Sequence, residues 1–169
     1  MRSKSVIVVT LMFAFLVMQA CTDSGFHLRN NISLPLKYQK VQVQNLRQGN
    51  GLVKAFQLKL EESGGELIES ASTIIKIHNY QEGRRVVAYT RERRARGYLL
   101  FLRFDYSISL PAMNGKHIEL DKRRINIDRT FIYDANFALG KAEEEKQISQ
   151  DLYEEASRLI LLHLQYGKD

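Results

Sequence analysis

The stretch YLLFLRFDYSISL, residues 98–110, sets the reading of the whole chain. Phe104, Tyr106, Ile108 and Leu110 alternate there with Arg103, Asp105, Ser107 and Ser109. Successive side chains of a strand point to opposite faces, so this strand has one buried face and one polar face. Downstream, Pro111 to Gly115 carries the turn-forming pair Asn114-Gly115 and returns the chain into Lys116 to Tyr133. In that return strand Ile118 and Leu120 share one parity while Ile125 and Ile127 share the other, and a bulge within Asp121 to Arg124 reconciles them.

Upstream, Glu66 to Tyr80 is rich in isoleucine and threonine and reads as a strand in one or two pieces. A turn is expected near Gln81-Glu82-Gly83, with a further strand over Arg84 to Thr90. Leu36 to Leu46, containing Val41-Gln42-Val43, is the candidate first strand, and Gln48 to Gly51 breaks it. Leu52, Phe56 and Leu60 then recur every four residues, predicting a helix over Leu52 to Ser63 that Gly64-Gly65 ends. The same spacing returns in Ile148, Leu152, Ala156 and Ile160, with Leu159 and Leu164, and predicts a long helix over Leu139 to Gln165. Glu143, Glu144 and Glu145 near its start and Arg158 and Lys168 near its end suit the helix dipole. The expectation is an α+β fold in the order β-α-β-β-β-α: a four-stranded, largely antiparallel or mixed sheet with both helices on one face. Residues 35–169 would form one domain, with the apolar stripes as its core.

The first residues are of a different kind. Arg2 and Lys4 precede an apolar run, Val6 to Met18, broken only by Thr10 and followed by Gln19-Ala20-Cys21. This run is shorter than the roughly 20 residues that span a bilayer, and it reads as a signal peptide over residues 1–20. A small residue followed by cysteine is the pattern of a lipobox, with Met18 where leucine is usual. Cys21 is the only cysteine of the chain, so it has no intramolecular disulfide partner, and a lone thiol in an oxidising compartment is a liability that acylation removes. Residues 21–34 then read as a lipidated tether, anchored stably by several acyl chains. Thr22 rather than aspartate after the cysteine points to the outer membrane of a Gram-negative cell.

The 25 basic residues, less the two in the leader, against 19 acidic ones leave the mature chain at a formal charge of +4. An exported, membrane-tethered protein meets little nucleic acid, so the expected partner is an anionic lipid or phosphorylated glycolipid. His27, His78, His117 and His163 are too scattered to suggest a metal pair. No nucleophile elbow, phosphate-cradling loop or dinucleotide fingerprint is present. The chain is therefore expected to be non-enzymatic, with no cofactor and no metal. What stands out is Arg84-Arg85, Arg91, Arg93-Arg94, Arg96 and Arg103 around Tyr89 and Tyr98. Such a cluster either holds an anionic headgroup, since guanidinium pairs bidentately with phosphate, or keeps sheet edges soluble and unpaired.

Gly25-Phe26-His27-Leu28-Arg29 beside Cys21, then Phe131-Ile132-Tyr133-Asp134, Ala138-Leu139-Gly140-Lys141 and Asp151-Leu152-Tyr153-Glu154-Glu155-Ala156 together resemble the LPS-assembly lipoprotein family LptE. The resemblance covers essentially the whole mature chain in the order of its elements. Thr22-Asp23-Ser24 intervene between the cysteine and the glycine, where the family usually has none. The resemblance implies a partner of the outer-membrane β-barrel LptD that plugs the barrel, assists its assembly and binds lipopolysaccharide. It also implies two basic lipopolysaccharide-binding positions, corresponding here to Arg91 and Lys141. Arg91 is followed by Glu92-Arg93 in place of the family's Asn-Gly, so Arg93 or Arg94 could share its role. The alternative is a general envelope lipoprotein that stabilises another outer-membrane complex or a secretin.

Overall fold

In the computed structural model, residues 34–112, 116–120, 122–132 and 138–166 are described. The expected leader, Cys21 and the Gly25 to Arg29 segment lie outside them, as do Tyr133 and Asp134. Strands β1 (Lys40–Gln44), β2 (Glu66–Leu67), β3 (Thr73–Tyr89), β4 (Ala95–Pro111), β5 (His117–Glu119) and β6 (Arg123–Ile132) form one mixed sheet, with helices α1 (Gly51–Glu62) and α2 (Ala138–Tyr166). The class is the expected α+β. The sheet has six strands rather than four, because the expected Glu66 to Tyr80 strand divides into the two-residue β2 and the start of β3, and the expected Lys116 to Tyr133 strand divides at its bulge into the three-residue β5 and β6.

β4 is the spine. Its even positions Tyr98, Leu100, Leu102, Phe104, Tyr106 and Ile108 are all buried, and it pairs antiparallel with β3 on one edge and with β5 and β6 on the other. Beyond β3 lies β1, parallel to both β3 and β2. The parallel pairing of β1 and β3 requires a crossover, and α1 provides it.

The turn expected at Gln81-Glu82-Gly83 is not there. β3 runs through those residues as a 17-residue strand, and the chain reverses instead at Thr90 to Arg94. What interrupts the apolar pattern is a bulge: between the pairs His78↔Asp105 and Gln81↔Arg103, β3 advances three residues and β4 two. Asn79 takes a left-handed φ of 52° there, a conformation asparagine tolerates better than most residues. The bulge switches the parity of the strand, so Ile75 and Ile77 face the core before it, and Glu82, Arg84 and Val86 lie on the core side after it, opposite Leu102, Leu100 and Tyr98. The candidate first strand is also shortened, because Leu36–Tyr38 forms a single 3-10 turn that buries Tyr38.

The bulge expected in the return strand is present. From Ser109↔Glu119 to Tyr106↔Arg123, β4 advances three residues and the returning strand four. Ile118, Ile125 and Ile127 therefore pair with Leu110, Phe104 and Leu102 on the core face despite their mixed parity.

Asn50 caps α1 by accepting a 2.8 Å hydrogen bond from the Leu52 amide. Gly64, at φ 79°, reverses the chain after it, in the left-handed conformation that glycine reaches without a Cβ clash. Leu52, Val53, Phe56 and Leu60 of α1 and Leu152, Ala156, Ile160, Leu161 and Leu164 of α2 are buried. Both helices pack on the even-residue side of β4 in one apolar cluster with Val41, Ile75, Ile77 and Phe131. They cross closely at Gly51, where a Cβ would stand 2.3 Å from the Tyr153 ring. Each fully buried Leu, Ile or Phe contributes about 1.5–3 kcal/mol relative to exposure, so this single layer dominates the stability of the fold. The other face of the sheet has no helix over it among the described residues. No described helix is long and apolar enough to cross a membrane.

Candidate functional site

The hairpin between β3 and β4 concentrates charge. Thr90 N donates to the Arg94 carbonyl at 2.8 Å and Arg93 N to the Thr90 carbonyl at 3.0 Å, closing a turn in which Arg93 holds a φ of 62°. That left-handed geometry costs a side-chain-bearing residue about 1–2 kcal/mol. Arg91, Arg93, Arg94 and Arg96 are all exposed around this turn. Glu92 is the single acid among them, and a hydrogen bond from the Thr90 hydroxyl holds its carboxyl below the usual range. The tip is therefore a cationic knuckle with its guanidinium groups in water.

Lys141 belongs to the same end of the sheet. It lies in the first turns of α2, and its Nζ donates a 2.9 Å hydrogen bond to the Tyr98 hydroxyl while sitting 4.1 Å from the ring centroid. Tyr98 is four residues from Arg94, about 13 Å along an extended strand. Its ring stacks on Phe131 at 5.6 Å and has the Arg84 guanidinium 5.2 Å from its centroid. A single buried tyrosine thus organises two cations from different elements.

Among the predicted residues, Arg91, Arg93 and Arg94 are brought together in the turn, and Lys141 is placed against Tyr98, near the turn end of the same hairpin. Two other arginines of the sequence cluster have different occupations. Arg84 pairs with Glu145 at 2.7 Å, and Arg103 donates to Asn126 at 2.8 Å while lying 5.1 Å from the Phe101 ring. What sequence reasoning missed is the part played by Tyr98, noted there only as a neighbour of the arginines. This tyrosine marks the start of the alternating strand, but nothing in its local sequence indicates that a lysine 43 positions away would rest on it.

A cavity of about 200 Å3 between β3 and α2 is lined by Glu82, Arg84, Glu145, Ser149 and Tyr153 among others. Its charges are already committed within the fold. Glu82 accepts from the Tyr80 hydroxyl at 2.5 Å and from the Tyr153 hydroxyl at 2.8 Å, and Arg84 is held by Glu145. Burial, reinforced by Glu82, pushes the Tyr153 hydroxyl up to about 12 and raises that of Tyr80 further. Among the described residues no group of three or more His, Cys, Asp or Glu side chains is placed to hold a metal ion.

The family model described as lipopolysaccharide assembly, LptE, matches residues 38–164. The LPS-assembly lipoprotein LptE of Photorhabdus laumondii is 25% identical over 162 residues, covering 94% of this chain and 85% of that protein. Among solved structures, a minor lipoprotein from Acinetobacter baumannii superposes with a TM-score of 0.61 at 18% identity, over 79% of this chain and 95% of that one. A lipoprotein B from Nitrosomonas europaea superposes with a TM-score of 0.59 at 20% identity, over 83% and 90%. These two likenesses show a shared fold.

Proposed function

Because this chain belongs to the LptE family of lipopolysaccharide-assembly proteins, we propose that it is a non-enzymatic outer-membrane lipoprotein that binds lipopolysaccharide at the basic hairpin end of its sheet. The observation that carries this reading is the Tyr98-centred arrangement, which sets Lys141 near the turn end of the hairpin bearing Arg91, Arg93 and Arg94. Lipid A carries phosphates that divalent ions bridge between neighbouring molecules. The exposed guanidinium groups of the hairpin, with the Lys141 ammonium beside Tyr98, replace those ions and loosen the packing of the lipid during transfer.

The anchor is Cys21, acylated after removal of residues 1–20, with residues 21–34 as the tether. It holds the domain at the outer membrane on the periplasmic side. Its protein partner is a β-barrel of the LptD type, whose lumen the domain plugs and whose assembly it assists. The family-model match and the LPS-assembly name of the Photorhabdus relative support this assignment.

The test is lipopolysaccharide binding by the full-length chain, compared with a variant carrying Arg91→Glu and Lys141→Glu. At least a tenfold loss of affinity is expected, and unchanged binding would refute the basic site. Purification from solubilised outer membranes checks the partner. Recovery with a large β-barrel supports the reading, whereas recovery as a free monomer, or with a secretin, overturns it.

A further inference from the structure

The sheet face opposite the helices, over which no described element lies, changes character along its length. Near the β5 end, Asp105, Ser107 and Ser109 of β4 are buried among polar neighbours. Asp105 accepts from Arg124 and from Asn79, each at 2.8 Å, and Ser107 donates to Glu119, which also pairs with Lys76. Toward the hairpin the same face turns apolar. The rows across β3, β4 and β6 read Gly83–Phe101–Asp128, then Arg85–Leu99–Thr130, then Ala88–Gly97–Ile132. Ile132 is 65% exposed and Leu99 and Phe101 are half-buried, although no described element lies over them. Gly83, Gly97 and Ala88 keep the surface low. The Phe101 ring leans over Gly83, where an added Cβ would stand 3.1 Å from it.

Charge on this stretch is also unbalanced. On the helix side, Arg84 and Arg129 are taken by Glu145 and Glu155. On the opposite side, neither Arg85 nor Arg103 forms an ion pair among the described residues, although Asp128 shares the face. An apolar strip about 13 Å long from Gly97 to Phe101 is thus bordered by two arginines and runs directly into the basic hairpin. This combination matches an anionic amphiphile with its chains on the strip and its phosphates on the cations. A soluble phosphate would need no strip, and a neutral lipid would need no arginines.

We propose that Leu99, Phe101 and Ile132 form a shelf for the acyl chains of the lipid whose phosphates bind the hairpin, with Arg85 and Arg103 flanking it. This rests on the lipopolysaccharide-binding reading and extends it from the headgroup to the chains. The shelf leaves the helix-covered core untouched, so polar substitutions on it spare the packed layer.

A photo-crosslinking amino acid placed singly at Leu99, Ile132 or Arg93 of the full-length protein in outer membranes tests this. Adducts that react with an antibody to lipid A are expected at all three positions. Adducts at Arg93 alone overturn the shelf and leave the headgroup reading standing. Adducts only to protein at Leu99 and Ile132 overturn it in favour of docking against the barrel wall. Lipid adducts at no position overturn both readings. In a second measurement, Leu99→Gln with Ile132→Gln is expected to weaken full-length protein binding to hexa-acylated lipopolysaccharide at least tenfold while leaving fully deacylated lipopolysaccharide unchanged. Equal binding of the hexa-acylated form by variant and parent protein overturns the shelf.

Discussion

Lys141 rests on Tyr98, with its ammonium 2.9 Å from the hydroxyl and 4.1 Å from the ring centroid, so the first turns of α2 are fastened to the spine of the sheet. Tyr98 is buried and also stacks on Phe131, so most of what it contributes is packing. Tyr98→Phe should keep the ring and lose only the hydrogen bond, a cost of about 0.5–1.5 kcal/mol. Tyr98→Ala should cost about 3–5 kcal/mol through the cavity it leaves. Urea unfolding midpoints of the two variants measure the difference, and equal losses would show that the ring does not carry the contact.

Positions on the same face of the sheet differ sharply in burial. Phe104 is 2% exposed between Tyr80 and Tyr106, whereas Ile118, on the same face beyond the second bulge, is 56% exposed. Phe104→Ala should lower stability by about 3–5 kcal/mol, and Ile118→Ala should stay within about 0.5 kcal/mol of the parent. Denaturant titration of both, at matched slopes, checks this.

The protein should lose stability at high pH in a defined window. Burial pushes the Tyr106 hydroxyl, 2.9 Å from His163 Nδ1, up to about 12, and burial with Glu82 does the same at Tyr153. Unfolded tyrosine ionises near 10. A group whose folded value is raised lends its stability fully below the unfolded value, and that stability drains as pH rises from about 10 through about 12. Tyr106→Phe should make the fall across that window shallower. Unfolding free energy measured at intervals from pH 9 to pH 12 tests it, and an unchanged slope would contradict it.

Much of this architecture is legible in the sequence because the signals are local. The alternation in residues 98–110 identified the half-buried strand that became the spine, and four-residue spacing identified both helices to within a residue or so at each end. The change of parity between Leu120 and Ile125 was enough to predict a bulge, since only an inserted residue keeps Ile118, Ile125 and Ile127 all on the core side. The same kind of change near Asn79 was misread as a turn. Gln81-Glu82-Gly83 is polar and carries a glycine, so it resembles a reversal unless one knows that the facing residues of β4 continue to pair with it.

The candidate site divides along the same line. The arginines of the hairpin are neighbours in sequence, and their excess of charge is visible without a fold. Which of them remain uncommitted, and which lie near Lys141, depends on contacts between elements. Arg84 is neutralised by Glu145, 61 residues away, and Lys141 is brought to the hairpin by Tyr98. Periodicity and composition specify elements and faces because they act over a turn or a pair of residues. Pairings between distant side chains follow from register and helix placement, and those are set by the packing of the whole apolar layer.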